Sequence, residues 1–258
     1  MNFEKIKTYY DPWPHLIIEE FISQKFAQEL KNEILNFDNF DDTVMVNRQR
    51  INKGSKNFEK ILSSSINIKK IYEFLNNDNT FKTLLNFFKA DKLNWKFNNN
   101  YKSFSKDYFG KQQDSISENI IKFLANKNFI GTKLNLDIDF SVSGKGYYRG
   151  PHRDRDTRVL NFLLYLNNFN LNDGGAFEIF DYEKNHETNQ HDYPRFPEAK
   201  HVKISKTVQP VEGKMVIFLS TPNSYHAASQ FIAENKKRVF VYGSYSLNRK
   251  VDWKKNNF

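Results

Sequence analysis

The stretch Arg158-Val159-Leu160-Asn161-Phe162-Leu163-Leu164-Tyr165-Leu166-Asn167 decides the fold class. It is apolar on both faces apart from Asn161 and Tyr165, which share parity, so it reads as a strand buried between layers. A buried Asn and a buried Tyr need polar partners, and a functional site on their side of the strand would supply them. Working outward, the chain from about residue 134 consists of short apolar or alternating runs separated by Gly, Asn, Asp and Pro, the texture of an all-β sandwich or barrel. Strands are predicted near 134–142, 158–167, 176–182, 201–209, 214–220, 225–231 and 236–247, enough for two facing sheets.

The first half reads differently. Ser23 is an N-cap for a helix-period run, Phe26, Leu30, Ile34 and Leu35, and further helices are predicted near 57–76, 79–89 and 115–126. Before them, Pro12-Trp13-Pro14-His15-Leu16-Ile17-Ile18 disfavours helix and ends in a β-branched apolar run that suits a strand. With no repeat and no long linker, residues 1–258 read as one domain: 1–130 a mostly helical support region, 131–250 the β core.

Composition narrows the chemistry. No cysteine is present, which excludes disulfides, thiolate zinc sites, iron–sulfur clusters and cysteine nucleophiles, so any metal must rest on His, Asp or Glu. The formal charge is +9, mostly Lys scattered through Asn-rich stretches, the pattern of a solvated surface more than of a nucleic-acid face. No segment reaches the roughly 18 apolar residues of a membrane span, and a soluble, cytoplasmic protein is expected.

His152 and Asp154 are separated by one residue, so on extended backbone their side chains project from the same side and can converge on one ion. A neutral imidazole and a carboxylate are two of the three ligands in the facial arrangement that leaves non-haem iron(II) open positions. Taken alone the pair also fits an Asp in a turn beside a solvent-exposed His. Its surroundings add weight: Asp173-Gly174-Gly175 and Gly213 are turns feeding strands, and His226, though a lone His is more often a core or loop residue, opens a strand where a third ligand would be required. Twelve residues on, Arg238 begins the run Val239-Phe240-Val241-Tyr242, and an Arg in such a wall is costly unless an anion pairs it.

In order, Pro151-His152-Arg153-Asp154, the strand ending Tyr165-Leu166-Asn167, Asp173-Gly174-Gly175, His226 and Arg238 resemble the prolyl-4-hydroxylase-like branch of the Fe(II)- and 2-oxoglutarate-dependent oxygenases, over roughly 134–247. The resemblance implies a mainly β protein with flanking α: a double-stranded β-helix, jelly-roll or cupin-like, with N-terminal helices packed on it. It implies iron(II) on His152, Asp154 and His226, 2-oxoglutarate with its far carboxylate on Arg238, and O2 as co-reactant; ascorbate is allowed for as a reductant. Tyr165 is a candidate to share that carboxylate, with a Tyr simply packed in the barrel as the competing reading, and Asn161 shares its face. The carboxylate of Asp154 favours hydroxylation, since halogenating relatives have a small residue there.

Two other classes share parts of this pattern: a metal-binding β-barrel that is not an oxygenase, and an inactive barrel that binds partners. Arg238 and the ordered motifs argue against the first, and the intact ligand set against the second. The repair demethylases carry a second Arg a few residues after the cosubstrate Arg, whereas Tyr242-Gly243-Ser244-Tyr245 stands here, which counts against nucleic acid. The expected substrate is a prolyl residue of a protein or peptide, with a free amino acid or other small molecule as the competitor. Tyr147, Tyr148, Arg149 and Arg153 are candidate substrate contacts or plain rim residues. The segment 180–201 is expected to cover the substrate entrance, its His186 and His191 being surface histidines and not ligands.

Overall fold

The alternation of Leu134, Leu136, Ile138, Phe140 and Val142 with Asn135, Asp137, Asp139, Ser141 and Ser143 sorts one strand into an oily face and a polar face. In the computed structural model, which describes residues 1–41, 47–97, 101–106, 131–183 and 190–256, that strand is β6 (Lys133–Ser143). The strands before it are β1 (Ile6–Tyr9), β2 (His15–Ile18), β3 (Arg48–Asn52), β4 (Trp95–Phe97) and β5 (Ser103–Ser105). After it come β7 (Arg149–His152), β8 (Arg158–Tyr165), β9 (Phe177–Tyr182), β10 (Val202–Val208), β11 (Met215–Leu219), β12 (His226–Ala228), β13 (Arg238–Leu247) and β14 (Trp253–Lys255).

These strands form the two sheets of a double-stranded β-helix. The larger has eight strands, in the order β1-β2-β11-β8-β13-β6-β3 with β5 added parallel to β6. The smaller runs β10-β9-β12-β7, and β14 pairs with β4 apart from both. Trp13 helps tie the sheets together: its indole N–H donates to the Phe180 carbonyl at 3.1 Å. β6 also shows why the helices sit where they do. Its even-numbered side chains face outward, joined by Val239, Val241 and Tyr245 of β13, and receive the apolar stripes of α1 (Gln24–Leu35), α2 (Lys56–Ser64), α3 (Ile66–Leu75) and α4 (Asp78–Asn86). Side chains such as Phe58 and Ile71 are wholly buried there, each worth about 2 kcal/mol relative to exposure. The odd-numbered residues of β6 and the even-numbered ones of β13 turn inward, with Leu163, Tyr165, Phe177, Val216 and Phe218 filling the space between the sheets.

Ser23 caps α1 as expected, accepting from the Phe26 N–H at 3.2 Å. Two predicted elements differ. The helix expected over 57–76 is two helices broken at Ser65, whose backbone is extended. Just before the break the Ser63 and Ser64 hydroxyls bond back to the Lys60 carbonyl, the local competition through which serine ends helices. The strand expected over 225–231 stops at Ala228, because Phe231 turns into a small cluster with Tyr147 and Phe169. The helix predicted near 115–126 lies outside the described residues. Among those described, no helix is long and apolar enough to cross a membrane.

Candidate metal centre

Register brings the two histidines together. β12 pairs with β7 so that His226 lies directly opposite His152, and the imidazole centroids are 4.5 Å apart. Asp154 follows two residues on, and ligand atoms of His152, Asp154 and His226, all three buried, lie within 4.8 Å of one another. In each histidine Nδ1 is held by a carbonyl two residues back, Gly150 at 2.9 Å for His152 and Ser224 at 3.0 Å for His226. Nδ1 then carries the proton and Nε2 keeps its lone pair toward the cluster, where that of His152 is met by Arg149 Nε at 3.5 Å.

Charge in the cluster is sorted to match. Burial, then the neighbouring His226, lowers His152 to about 3, and burial lowers His226 as well, so both rings are neutral. Burial alone would raise Asp154, but Arg158 holds its carboxyl well below the usual carboxylate range. Arg158 Nη1 donates to Asp154 Oδ1 at 2.7 Å, the Tyr242 hydroxyl donates to Oδ2 at 3.0 Å, and Oδ2 faces His226 Nε2 at 3.5 Å. Two neutral imidazoles and one fixed carboxylate, buried and convergent, suit a divalent ion that keeps open positions.

Arg238 lines the same cavity, of about 340 Å3, and is 1% exposed. Its Nε donates to the Gly175 carbonyl at 2.9 Å, and its guanidinium lies over the Phe240 ring at 4.2 Å, while Nη1 has no hydrogen-bond partner among the described residues. A guanidinium held this way among aromatic rings is a receptor for an anion. The Gly-Gly turn makes room for it: Gly175 has φ +73°, and a Cβ there would sit 2.9 Å from Arg238 Cδ.

The structure gathers His152, Asp154, His226, Arg238, Tyr147 and Arg149 around this cavity. It does not bring all the sequence candidates there. Asn161 and Tyr165 are fully buried, their side-chain polar atoms without hydrogen-bond partners among the described residues, and the Tyr165 ring is 5.5 Å from the Arg238 guanidinium, yet neither lines the cavity. Tyr148 is 54% exposed and does not line the cavity. Arg153 bonds to the Tyr193 carbonyl at 2.9 Å and to Asp156, tying down the neighbouring segment instead of lining the cavity. His186 lies outside the described residues, and His191 is exposed.

Several lining residues escaped sequence reading. Arg48 and Arg50 arrive from β3 in the helical half, where Arg48-Gln49-Arg50 looks like polar surface; their equal parity was the available signal. Arg158 and Tyr242, which fix Asp154, were read only as parts of strands. Arg195 reaches the cavity from the 190–201 segment, which the Tyr225 hydroxyl anchors through the Pro194 carbonyl at 2.8 Å.

The family described as the 2OG-Fe(II) oxygenase superfamily matches residues 138–244. No curated protein matches the chain. Among solved structures, a prolyl 4-hydroxylase from Phytophthora capsici superposes with a TM-score of 0.51 at 12% identity, covering 90% of this chain and 58% of that one. A prolyl-4-hydroxylase from Pseudomonas putida gives 0.45 at 15% identity, covering 90% and 91%. HygX from Streptomyces hygroscopicus, solved with nickel, 2-oxoglutarate and hygromycin B, gives 0.47 at 10% identity, covering 90% and 82%. The Phytophthora likeness is one of fold.

Proposed function

Since residues 138–244 and the buried His–Asp–His cluster make this chain a member of the 2OG-Fe(II) oxygenase superfamily, we propose that it hydroxylates an unactivated C–H bond, that of a prolyl residue in a protein or peptide. One observation carries the reading: the three-ligand cluster and Arg238, with its unpartnered Nη1, open into the same cavity. That pairing is what a metal-chelating dicarboxylate cosubstrate requires.

Fe(II) and 2-oxoglutarate are the cofactors of the family, and bound together they supply oxygen activation coupled to decarboxylation of the 2-oxo acid. The rest is the work of this chain. His152, Asp154 and His226 would hold the ion, with both rings oriented by backbone carbonyls. Arg238 would take the far carboxylate of 2-oxoglutarate, and the Phe240 and Tyr147 rings beside it keep water from that ion pair. Asp154 keeps a carboxylate at the position where halogenating relatives have a small residue, which supports hydroxylation.

A second reading, a free amino acid or other small molecule as substrate, is favoured by the size of the cavity. About 340 Å3 is near the lower end for small-molecule sites. Both are tested by incubating the iron-loaded protein with 2-oxoglutarate and either prolyl peptides or free amino acids, following succinate and product mass. One added oxygen on a prolyl ring supports the first reading, and the same gain on a free amino acid alone supports the second. Absence of succinate with every substrate, and of 2-oxoglutarate binding, would contradict the oxygenase assignment.

A further inference from the structure

Among the described residues, seven arginines line the cavity, Arg48, Arg50, Arg149, Arg155, Arg158, Arg195 and Arg238, against two acids, Asp139 and Asp154. Both acids are taken: Arg48 binds Asp139 at 2.6 Å and Arg158 binds Asp154 at 2.7 Å. Arg238 is occupied once the cosubstrate is bound. Arg50, Arg149, Arg155 and Arg195 then face one space with no ion pair among the described residues.

Their surroundings show charge held without an answer. The Arg50 Nε is buried and has no hydrogen-bond partner among the described residues. Arg149 and Arg195 lie over the Phe196 ring at 5.9 and 5.1 Å, a 60% exposed aromatic that fixes both guanidiniums without neutralising either. Burial and the nearby Arg155 and Arg149 lower Arg195 from its ordinary value, as crowding of like charge requires. The four also come from both sides of the cavity: Arg50 from β3 of the larger sheet, Arg149 from β7 of the smaller, and Arg155 and Arg195 from the segments beside it.

Guanidiniums gathered in one cavity in excess of its carboxylates repel one another unless a ligand brings negative charge, and one dicarboxylate at Arg238 brings two charges against the five guanidiniums that neither Asp139 nor Asp154 pairs. We infer that the substrate of this cavity carries a multiply charged anionic group, a phosphate ester or clustered carboxylates, held by Arg50, Arg149, Arg155 and Arg195. The inference rests on the oxygenase reading in taking the cavity at the metal ligands as the substrate cavity. It restricts the substrate to an anionic small molecule or an acidic peptide, two sources of the same chemistry.

The test is calorimetric titration of the anaerobic iron- and 2-oxoglutarate-loaded protein with glycerol 3-phosphate and with hexaglutamate, using glycerol and hexaalanine as uncharged counterparts. At least one anionic probe is expected to bind tenfold or more tightly than its counterpart, more weakly as salt rises. The exposed pair Arg155→Gln with Arg195→Gln is expected to weaken that binding at least tenfold, while the charge-matched pair Lys60→Gln with Lys69→Gln on the helices changes it less than twofold. Preference for glycerol 3-phosphate identifies a small-molecule anion, and preference for hexaglutamate an acidic peptide; either supports the inference. Anionic probes that bind no better than neutral ones, or equal losses in the two double variants, overturn it. Loading with 2-oxoglutarate is measured first on the same samples, so a failed oxygenase reading appears as failed loading, separately from the probe result.

Discussion

Arg158 binds Asp154 through Oδ1, leaving Oδ2 facing His226 Nε2 at 3.5 Å. The guanidinium sits four residues along the chain from its partner and is itself buried, so the carboxylate is both charged and turned before any ion arrives. Tyr242 reaches the same carboxylate from β13, at 3.0 Å from Oδ2. The ligand geometry thus depends on two strands of the larger sheet, although both histidine ligands belong to the smaller one.

Removing the Tyr242 hydroxyl loosens one end of this arrangement. Tyr242→Phe is expected to weaken Fe(II) binding about tenfold while leaving the far-ultraviolet circular dichroism unchanged, since supporting hydrogen bonds typically contribute ten- to a hundredfold to metal affinity. Competition with a chelator of known affinity measures it. An unaltered affinity would mean that Arg158 alone positions Asp154.

Arg238 separates binding from stability. Its charge is buried with Nη1 unpartnered, so Arg238→Met is expected to leave the melting temperature of the cofactor-free protein unchanged or higher. The same variant should lose the stabilisation that 2-oxoglutarate confers, about 2.7 kcal/mol at a hundred times its Kd. Differential scanning fluorimetry with and without 2-oxoglutarate reads both effects, and equal ligand stabilisation in wild type and variant would remove Arg238 from the site.

The adjacent glycines should fail in different ways. A Cβ on Gly174 would lie 1.9 Å from the Gln230 carbonyl oxygen, and its φ of +73° with ψ of −158° is open to glycine almost alone. Gly174→Ala is expected to cost about 3 kcal/mol or more of folding stability. At Gly175 the nearest atom is Arg238 Cδ at 2.9 Å, on a flexible side chain, so Gly175→Ala should cost less stability and mainly raise the KM for 2-oxoglutarate. Denaturant unfolding and steady-state kinetics on the two variants distinguish these outcomes.

His15 gives the fold an acid-sensitive point away from the metal ligands. It is wholly buried, stacked on Tyr9 and edge-on to Trp13, and burial lowers it to about 4. Its unfolded value is near 6.5, so between those values the unfolded chain binds more protons, and stability falls as pH falls. Full protonation costs about 3 kcal/mol. His15→Phe should flatten the fall in stability between pH 6.5 and 4, as measured by urea unfolding at several pH values; an unchanged slope would show that His15 is accessible to protons in the folded state.

The parts of this molecule legible in the sequence are those whose pattern is local. β6 alternates strictly, and β8 is apolar on both faces, so each declared its period and its layer. His152 and Asp154 were legible because an i, i+2 pair on extended chain shares a side, and His226 because it opened a strand at the right point in the order of motifs. What stayed hidden depends on register and on loops. Nothing in Arg48-Gln49-Arg50 says that β3 will lie along β6 and aim its arginines into the cavity. Arg195 stands in a long segment whose path is set by distant partners, the Tyr225 hydroxyl on the Pro194 carbonyl and Arg153 on the Tyr193 carbonyl. For Asn161 and Tyr165 the burial and shared parity are legible, whereas their place off the cavity lining, with the Tyr165 ring 5.5 Å from the Arg238 guanidinium, is a matter of depth that no local pattern encodes.

The most direct measurement is anaerobic titration of the metal-free protein with Fe(II) and 2-oxoglutarate, watching for the visible charge-transfer band of a 2-oxo acid chelated to ferrous iron. The expected result is a saturable band in wild type, absent in His152→Ala and needing far more 2-oxoglutarate in Arg238→Ala. A well-folded wild-type protein that shows no band, or a band indifferent to His152→Ala, would contradict the assignment of His152, Asp154, His226 and Arg238 to an oxygenase site.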